Sequence, residues 1–333
     1  PPLDQRLQAI SLSLKMFSLT YKLILLWSFI SCSARIAYST QHNLNPPTEP
    51  RLTELFPHLS INGSFSDLFG GSNIQHTNNG SYVNLILNKR SGAGFMSRDP
   101  YYYGFFSAAI KLPSGYTAGV VIAFYMSNAN VFPNNHDEID FELLGHEKSK
   151  EWALQTNVYG NGSVGTGREE KFNLWFDPTE EFHEYSIIWN DHHIVFLVDN
   201  IPVREVFHSE AMAGAYPSKP MSLYSTIWDG SQWATHGGKK PANYKFAPFV
   251  ATFKDMEMAG CVSNPKGKSA PCSNAGGQNG HLSLDPVEGG EFSKLSQQQQ
   301  AGMDWVRGRF MFYSYCKDPN RFRVMPPECK ASK

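Results

Sequence analysis

Charge is the scarcest resource in this 333-residue chain: charged residues are 18% of it, and the formal net charge is −1. Average soluble domains carry about 25%. A chain with so little net charge offers no electrostatic footing for nucleic acid or for an anionic membrane surface. Long apolar runs are also missing, so no stretch reaches the ~20 residues a spanning helix needs. Cysteines number only 5. Extended charged stretches, the mark of disordered tails and coiled coils, do not occur. What is abundant is aromatic and turn-forming: aromatics are 14%, with 27 Gly and 21 Pro. That balance fits a β-rich extracellular protein with a core of ample size.

The first methionine is Met16, and residues 1–15 are expected to be upstream sequence. Residues 16–34 read as a secretory signal. Lys22 supplies the positive end, 23–30 the short apolar run and Cys32-Ser33-Ala34 the small residues for cleavage. Removal of Cys32 leaves Cys261, Cys272, Cys316 and Cys329. An even number in a secreted chain suggests disulfides, and of three pairings the sequential one closes two short loops. Zinc is disfavoured by the spacing and by the absence of an adjacent histidine. Sequons at Asn62, Asn79 and Asn161 are compatible with glycosylation.

Residues 35–260 read as one β-sandwich domain after a Pro- and Asn-containing lead-in. Short runs rich in β-branched and aromatic residues, such as 82–87, 105–112, 119–125, 183–189 and 193–199, alternate with turn signals at Asp199-Asn200 and Asp229-Gly230. Residues 263–300, ending in Gln297–Gln300, read as a loop or linker, and 305–316 as a further strand.

The chemistry concentrates in His136-Asp137-Glu138-Ile139-Asp140-Phe141-Glu142-Leu143-Leu144-Gly145. Side chains alternate along a strand, which puts Glu138, Asp140 and Glu142 on one face and Ile139, Phe141 and Leu143 on the other. Crowded carboxylates raise one another's pKa values, and such a face can hold an ionised group beside a protonated one near neutral pH. Taken alone, the same pattern also suits a solvated outer face.

This decapeptide, with 155–162, Gly167-Arg168-Glu169-Glu170, 173–178, 198–205, 219–230, Trp233-Ala234-Thr235 and the four-cysteine tail, resembles the plant xyloglucan endotransglucosylase/hydrolases of glycoside hydrolase family 16. The resemblance spans roughly 50–330. It implies an all-β jelly-roll sandwich with a concave substrate cleft and, over 261–333, a short disulfide-bonded carboxyl-terminal extension. It casts Glu138 as nucleophile, Glu142 as general acid/base and Asp140 as the group that tunes both. His136, Gln155, Thr156, Asn157, Gly167, Arg168, Glu169, Gln232, Trp233 and Gly237 become the candidate substrate contacts. No metal and no cofactor are implied.

The implied protein is a secreted, apoplastic, monomeric enzyme that cuts the β-1,4-glucan backbone of xyloglucan and rejoins it to another xyloglucan or oligosaccharide. Hydrolysis with water as acceptor is the alternative, and a non-catalytic glucan-binding wall protein the rival from another class. The chain departs from the family pattern after Gly145, where the charged stretch 146–151 replaces an Asn-containing turn.

Overall fold

A computed structural model describes residues 46–263, 286–287 and 289–331. The chain divides into Pro1–Pro47, of which only the last two residues are described, and Thr48–Lys333, which carries the architecture. The upstream segment, the signal peptide and Cys272 lie outside the described residues. Among the described residues no helix is long and apolar enough to cross a membrane.

The early strands are β1 (Phe65–Phe69), β2 (Ile74–Thr77), β3 (Tyr82–Leu87), β4 (Ala93–Ser97) and β5 (Tyr101–Lys111). Next come β6 (Val120–Ser127), β7 (Glu138–Leu144), β8 (Ala153–Tyr159), β9 (Glu170–Asn173) and β10 (His183–Trp189). The last are β11 (His193–Val198), β12 (Ile201–Phe207), β13 (Ser222–Asp229), β14 (Phe249–Val262) and β15 (Met311–Ser314). One sheet runs β1-β4-β13-β6-β7-β8-β9-β15 and the other β12-β11-β10-β5-β14-β3-β2, all antiparallel. The expected jelly-roll sandwich is what the chain forms.

Alternation explains how the acidic strand sits in it. Ile139, Phe141 and Leu143 of β7 are buried in the core. Phe141 meets Phe196 of β11 edge-on across the two sheets, with centroids 5.1 Å apart. Further out, Phe95 of β4 meets Phe253 of β14 in the same way at 5.6 Å. Such aromatic pairs add packing energy beyond their buried area and fix the β7 register, because a one-residue slip would turn its carboxylates into the core. The Asp199-Asn200 turn has φ of 49° and 63° at its two residues, the left-handed pair a tight β11–β12 hairpin requires.

The carboxyl-terminal segment differs from its reading as loop and strand. Residues Gln297–Arg309 form a helix (α1), so the Gln run and Trp305 are helical. Ser296 caps it: its side chain accepts from the Gln299 amide at 3.1 Å, while the Gln299 side chain accepts from the Ser296 amide at 2.9 Å. This capping box outweighs the low-complexity composition. Gly302, Met303 and Val306 form the buried stripe, and β15 then joins the first sheet by pairing with β9.

A buried carboxylate clamps the extension to the sandwich. Glu170 of β9 receives Arg307 Nη1 at 2.5 Å and Nη2 at 2.9 Å, and Ser314 Oγ at 2.9 Å, with Arg204 Nε 3.7 Å away. Burial alone would raise its pKa, but Arg204 and Arg307 reverse the sign and hold it below the usual range. Cys316 and Cys329 are disulfide-bonded, as the sequential pairing expects. The Cys261–Cys272 pairing lies outside the described residues.

Candidate active site

The outer face of the first sheet carries a cavity of about 510 Å³. Its floor is built in register from three strands. Tyr125, Asp140 and Asn157 are cross-strand partners; Ala123, Glu142 and Gln155 form a second row; Ser127, Glu138 and Tyr159 form a third. Phe69, Glu169, Thr226, Trp228 and Trp233 complete the lining. The Trp228 and Trp233 rings lie 6.0 Å apart at 41°. Tyr125 and Tyr224 are stacked at 5.0 Å.

The three carboxylates are differentiated by their surroundings. Asp140 lies well above the usual carboxylate range, first from burial and then from the charges of Glu138 and Glu142 and a hydrogen bond to Glu138. Glu138 is raised by burial, while Ser127, His136 and Asp140 counter the rise. The shared Asp140–Glu138 hydrogen bond therefore keeps the proton on Asp140 and the charge on Glu138. Burial pushes Glu142 up to about 7; the Gln155 amide and Lys171 oppose the rise, and Glu138 and Glu169 add to it. The Gln155 amide nitrogen donates to Glu142 Oε2. One site thus holds an ionised carboxylate and a protonated acid at near-neutral pH, the division of labour that glycosidic bond cleavage needs.

Asp137 anchors the start of β7. Its fully buried carboxylate accepts from the amides of Asn161 at 2.6 Å and of Ser218 and Lys219 at 2.8 Å, and pairs with Lys219 Nζ at 2.5 Å. His136 Nε2 stands 3.9 Å from Glu138 Oε2.

The remaining candidates divide by position. Gln155, Asn157, Glu169 and Trp233 line the cavity. Thr156 faces the opposite way, its hydroxyl accepting from Arg204 Nη1 at 3.0 Å, because it is one residue out of phase with Gln155. Arg168 is buried and donates from Nε to Glu328 at 2.6 Å. Glu169 pairs with Arg321 of the extension. Gly167 lies at φ +49°, a backbone conformation that favours glycine, with Arg321 Nη2 2.3 Å from where a Cβ would stand. Gln232 is exposed outside the cavity. Gly237 lines a neighbouring cavity of about 340 Å³. Asn161 is exposed at a turn, and Asn62 and Asn79 are exposed on short helical segments, Ile61–Ser64 and Asn78–Gly80.

Reading the sequence missed Tyr125, Tyr159 and Lys171. Tyr159 continues the Gln155, Asn157 alternation and could have been found from it. Tyr125 and Lys171 are legible only through their cross-strand neighbours.

Fold and site together define a carbohydrate-active sandwich enzyme of the glycosyl hydrolase class. The profile of Glycosyl hydrolases family 16 matches residues 62–246, and that of the Xyloglucan endo-transglycosylase (XET) C-terminus matches 283–329. Probable xyloglucan endotransglucosylase/hydrolase protein 27 of Arabidopsis thaliana is 51% identical over 82% of this chain and 79% of its own. Protein 28 of the same plant is 50% identical over 82% and 80%. Among solved structures, a Crh5 transglycosylase in complex with NAG shares the fold at a TM-score of 0.50 and 21% identity, covering 63% of this chain and 83% of its own. The chain belongs to the xyloglucan endotransglucosylase/hydrolase family, within glycosyl hydrolases family 16.

Proposed function

We propose that this protein is a secreted endotransglucosylase of the plant cell wall. It cleaves the β-1,4-glucan backbone of xyloglucan and transfers the new end to a second xyloglucan chain or oligosaccharide. The observation that carries the reading is the row Glu138, Asp140 and Glu142 on one wall of a cavity flanked by Trp228 and Trp233. Glu138, kept ionised by the proton on Asp140, attacks the anomeric carbon. Glu142, protonated up to about pH 7, gives its proton to the leaving glycosidic oxygen. The resulting ester at Glu138 is attacked by an acceptor hydroxyl that Glu142, now a base, deprotonates, so configuration is retained. Gln155 and Asn157 hydrogen-bond sugar hydroxyls, and the tryptophan faces stack on the apolar C–H faces of the rings.

The test is product analysis with a labelled xyloglucan oligosaccharide as acceptor. Transfer moves the label into polymer without a matching rise in reducing ends. Reducing ends that rise regardless of acceptor would make the enzyme a hydrolase, and no reaction of either kind would leave only a glucan-binding protein.

A further inference from the structure

The charged stretch after β7 has a partner far away in the chain. His146 and Glu147 leave the end of the acidic strand, and His236 follows Trp233 by three residues on the opposite loop, at φ 52°. One donor atom from each of the three lies within 4.8 Å of the other two. His236 Nε2 is 3.2 Å from Glu147 Oε2, and His146 Nδ1 is 3.6 Å from the same oxygen. The Glu151 Oε2 atom stands 3.5 Å from His146 Nδ1. The two imidazole rings meet at 73° with centroids 5.1 Å apart, converging on the carboxylate instead of stacking on each other. His146, Glu151 and His236 also line the cavity of about 340 Å³ beside the candidate active site, so the cluster opens onto space.

We propose that His146, Glu147 and His236 form a divalent transition-metal site, with zinc as the best-matched ion. Donors bonded to tetrahedral zinc at about 2.0–2.1 Å stand about 3.3 Å from one another. Two of the three donor pairs already have that spacing, and the third closes by a side-chain rotation of the exposed His236. Two imidazoles and a carboxylate select zinc, copper or nickel over calcium and magnesium, which take all-oxygen sets. The hydrogen bond from the Lys148 amide to His146 Nδ1, at 3.2 Å, is the interaction an ion displaces, and Glu151 can supply a fourth ligand. A bound ion ties the β7–β8 turn to the loop that carries Trp233. Its position adjoins the carboxylates without including them, and it supplies no step of the glycosyl chemistry.

Isothermal titration of the full-length protein with zinc chloride tests it. One equivalent is expected to bind, and the melting temperature is expected to rise with zinc, since an ion that binds only the folded state stabilises it. Calcium should give no saturable signal. His236→Ala, His146→Ala and Glu147→Gln should each weaken zinc by at least about tenfold, and His208→Ala, at an exposed position just after β12 and outside the cluster, should not. Circular dichroism of the metal-free variants checks that each is folded. The assignment is overturned by no saturable binding up to millimolar zinc, by calcium binding as tightly as zinc, or by undiminished affinity in His146→Ala/His236→Ala.

Discussion

Gln155 stands directly opposite Glu142 across the β7–β8 pair, and its amide nitrogen donates to Glu142 Oε2. That contact favours the ionised carboxylate and restrains a pKa that burial drives upward to about 7. The alkaline limb of kcat/KM should therefore fall near pH 7, where Glu142 loses the proton it must donate. Gln155→Leu removes the restraint, and its alkaline limb should move to higher pH. A pH–rate profile decides the matter, and a limb shifted downward would contradict the geometry.

Glu138→Gln should remove turnover while leaving the fold intact, because an amide cannot form the glycosyl ester. Glu142→Gln should lose about 10²–10⁴-fold on xyloglucan. It should retain activity on aryl glycosides whose leaving groups need no proton, and azide should rescue the second step. Equal failure on both substrate types would remove the acid/base role from Glu142.

The same ionisation has a cost for stability. The folded-state pKa of Glu142 lies above the ordinary value of 4.5. Its favourable contribution is thus complete below pH 4.5 and is lost as pH rises through about 7. Glu142→Gln carries no charge to bury, so urea midpoints should show it gaining on the parent protein from about pH 4.5 upward, the difference levelling off above about pH 7.

The extension is held by the opposite electrostatics. The pKa of Glu170 is depressed by Arg204 and Arg307, so its contribution is present above 4.5 and is lost as pH falls through the lowered value. Arg307→Leu removes two charged hydrogen bonds and leaves Arg204 as partial compensation. A loss of about 1.5–3 kcal/mol in urea at neutral pH is expected, shrinking in acid as Glu170 protonates. A loss that is the same at every pH would mean Arg307 acts by packing alone.

Much of this molecule is written in short-range pattern. Alternation puts Glu138, Asp140 and Glu142 on one face of β7 and Phe141 on the other, and β-branched runs mark β3, β10 and β11 within a residue or so of their ends. The Gln297–Arg309 helix was masked by its glutamine composition, although Ser296 and Gln299 spell a capping box. What no local pattern contains is pairing between distant segments. Arg168 meets Glu328 across a sequence separation of 160. Arg321 takes Glu169, so two residues adjacent in the sequence make separate links to the extension.

Transfer over hydrolysis is the most demanding expectation, since water is far more concentrated than any sugar hydroxyl. It requires an acceptor held in attack geometry on the glycosyl-enzyme, where a positioned hydroxyl gains a high effective molarity. Trp233 is suited to that task. It lines the cavity with the carboxylates and stands 6.0 Å from Trp228, so the two rings offer an apolar platform for a sugar ring. Trp233→Ala removes the platform but leaves Glu138, Asp140 and Glu142 in their strand. Transfer to a labelled oligosaccharide should therefore fall more than donor cleavage does, with the acceptor KM rising and the reducing-end yield per cleavage increasing. A variant in which both outcomes decline in parallel would place Trp233 on the donor side, and the acceptor platform would have to be sought at Tyr125 and Tyr224 instead.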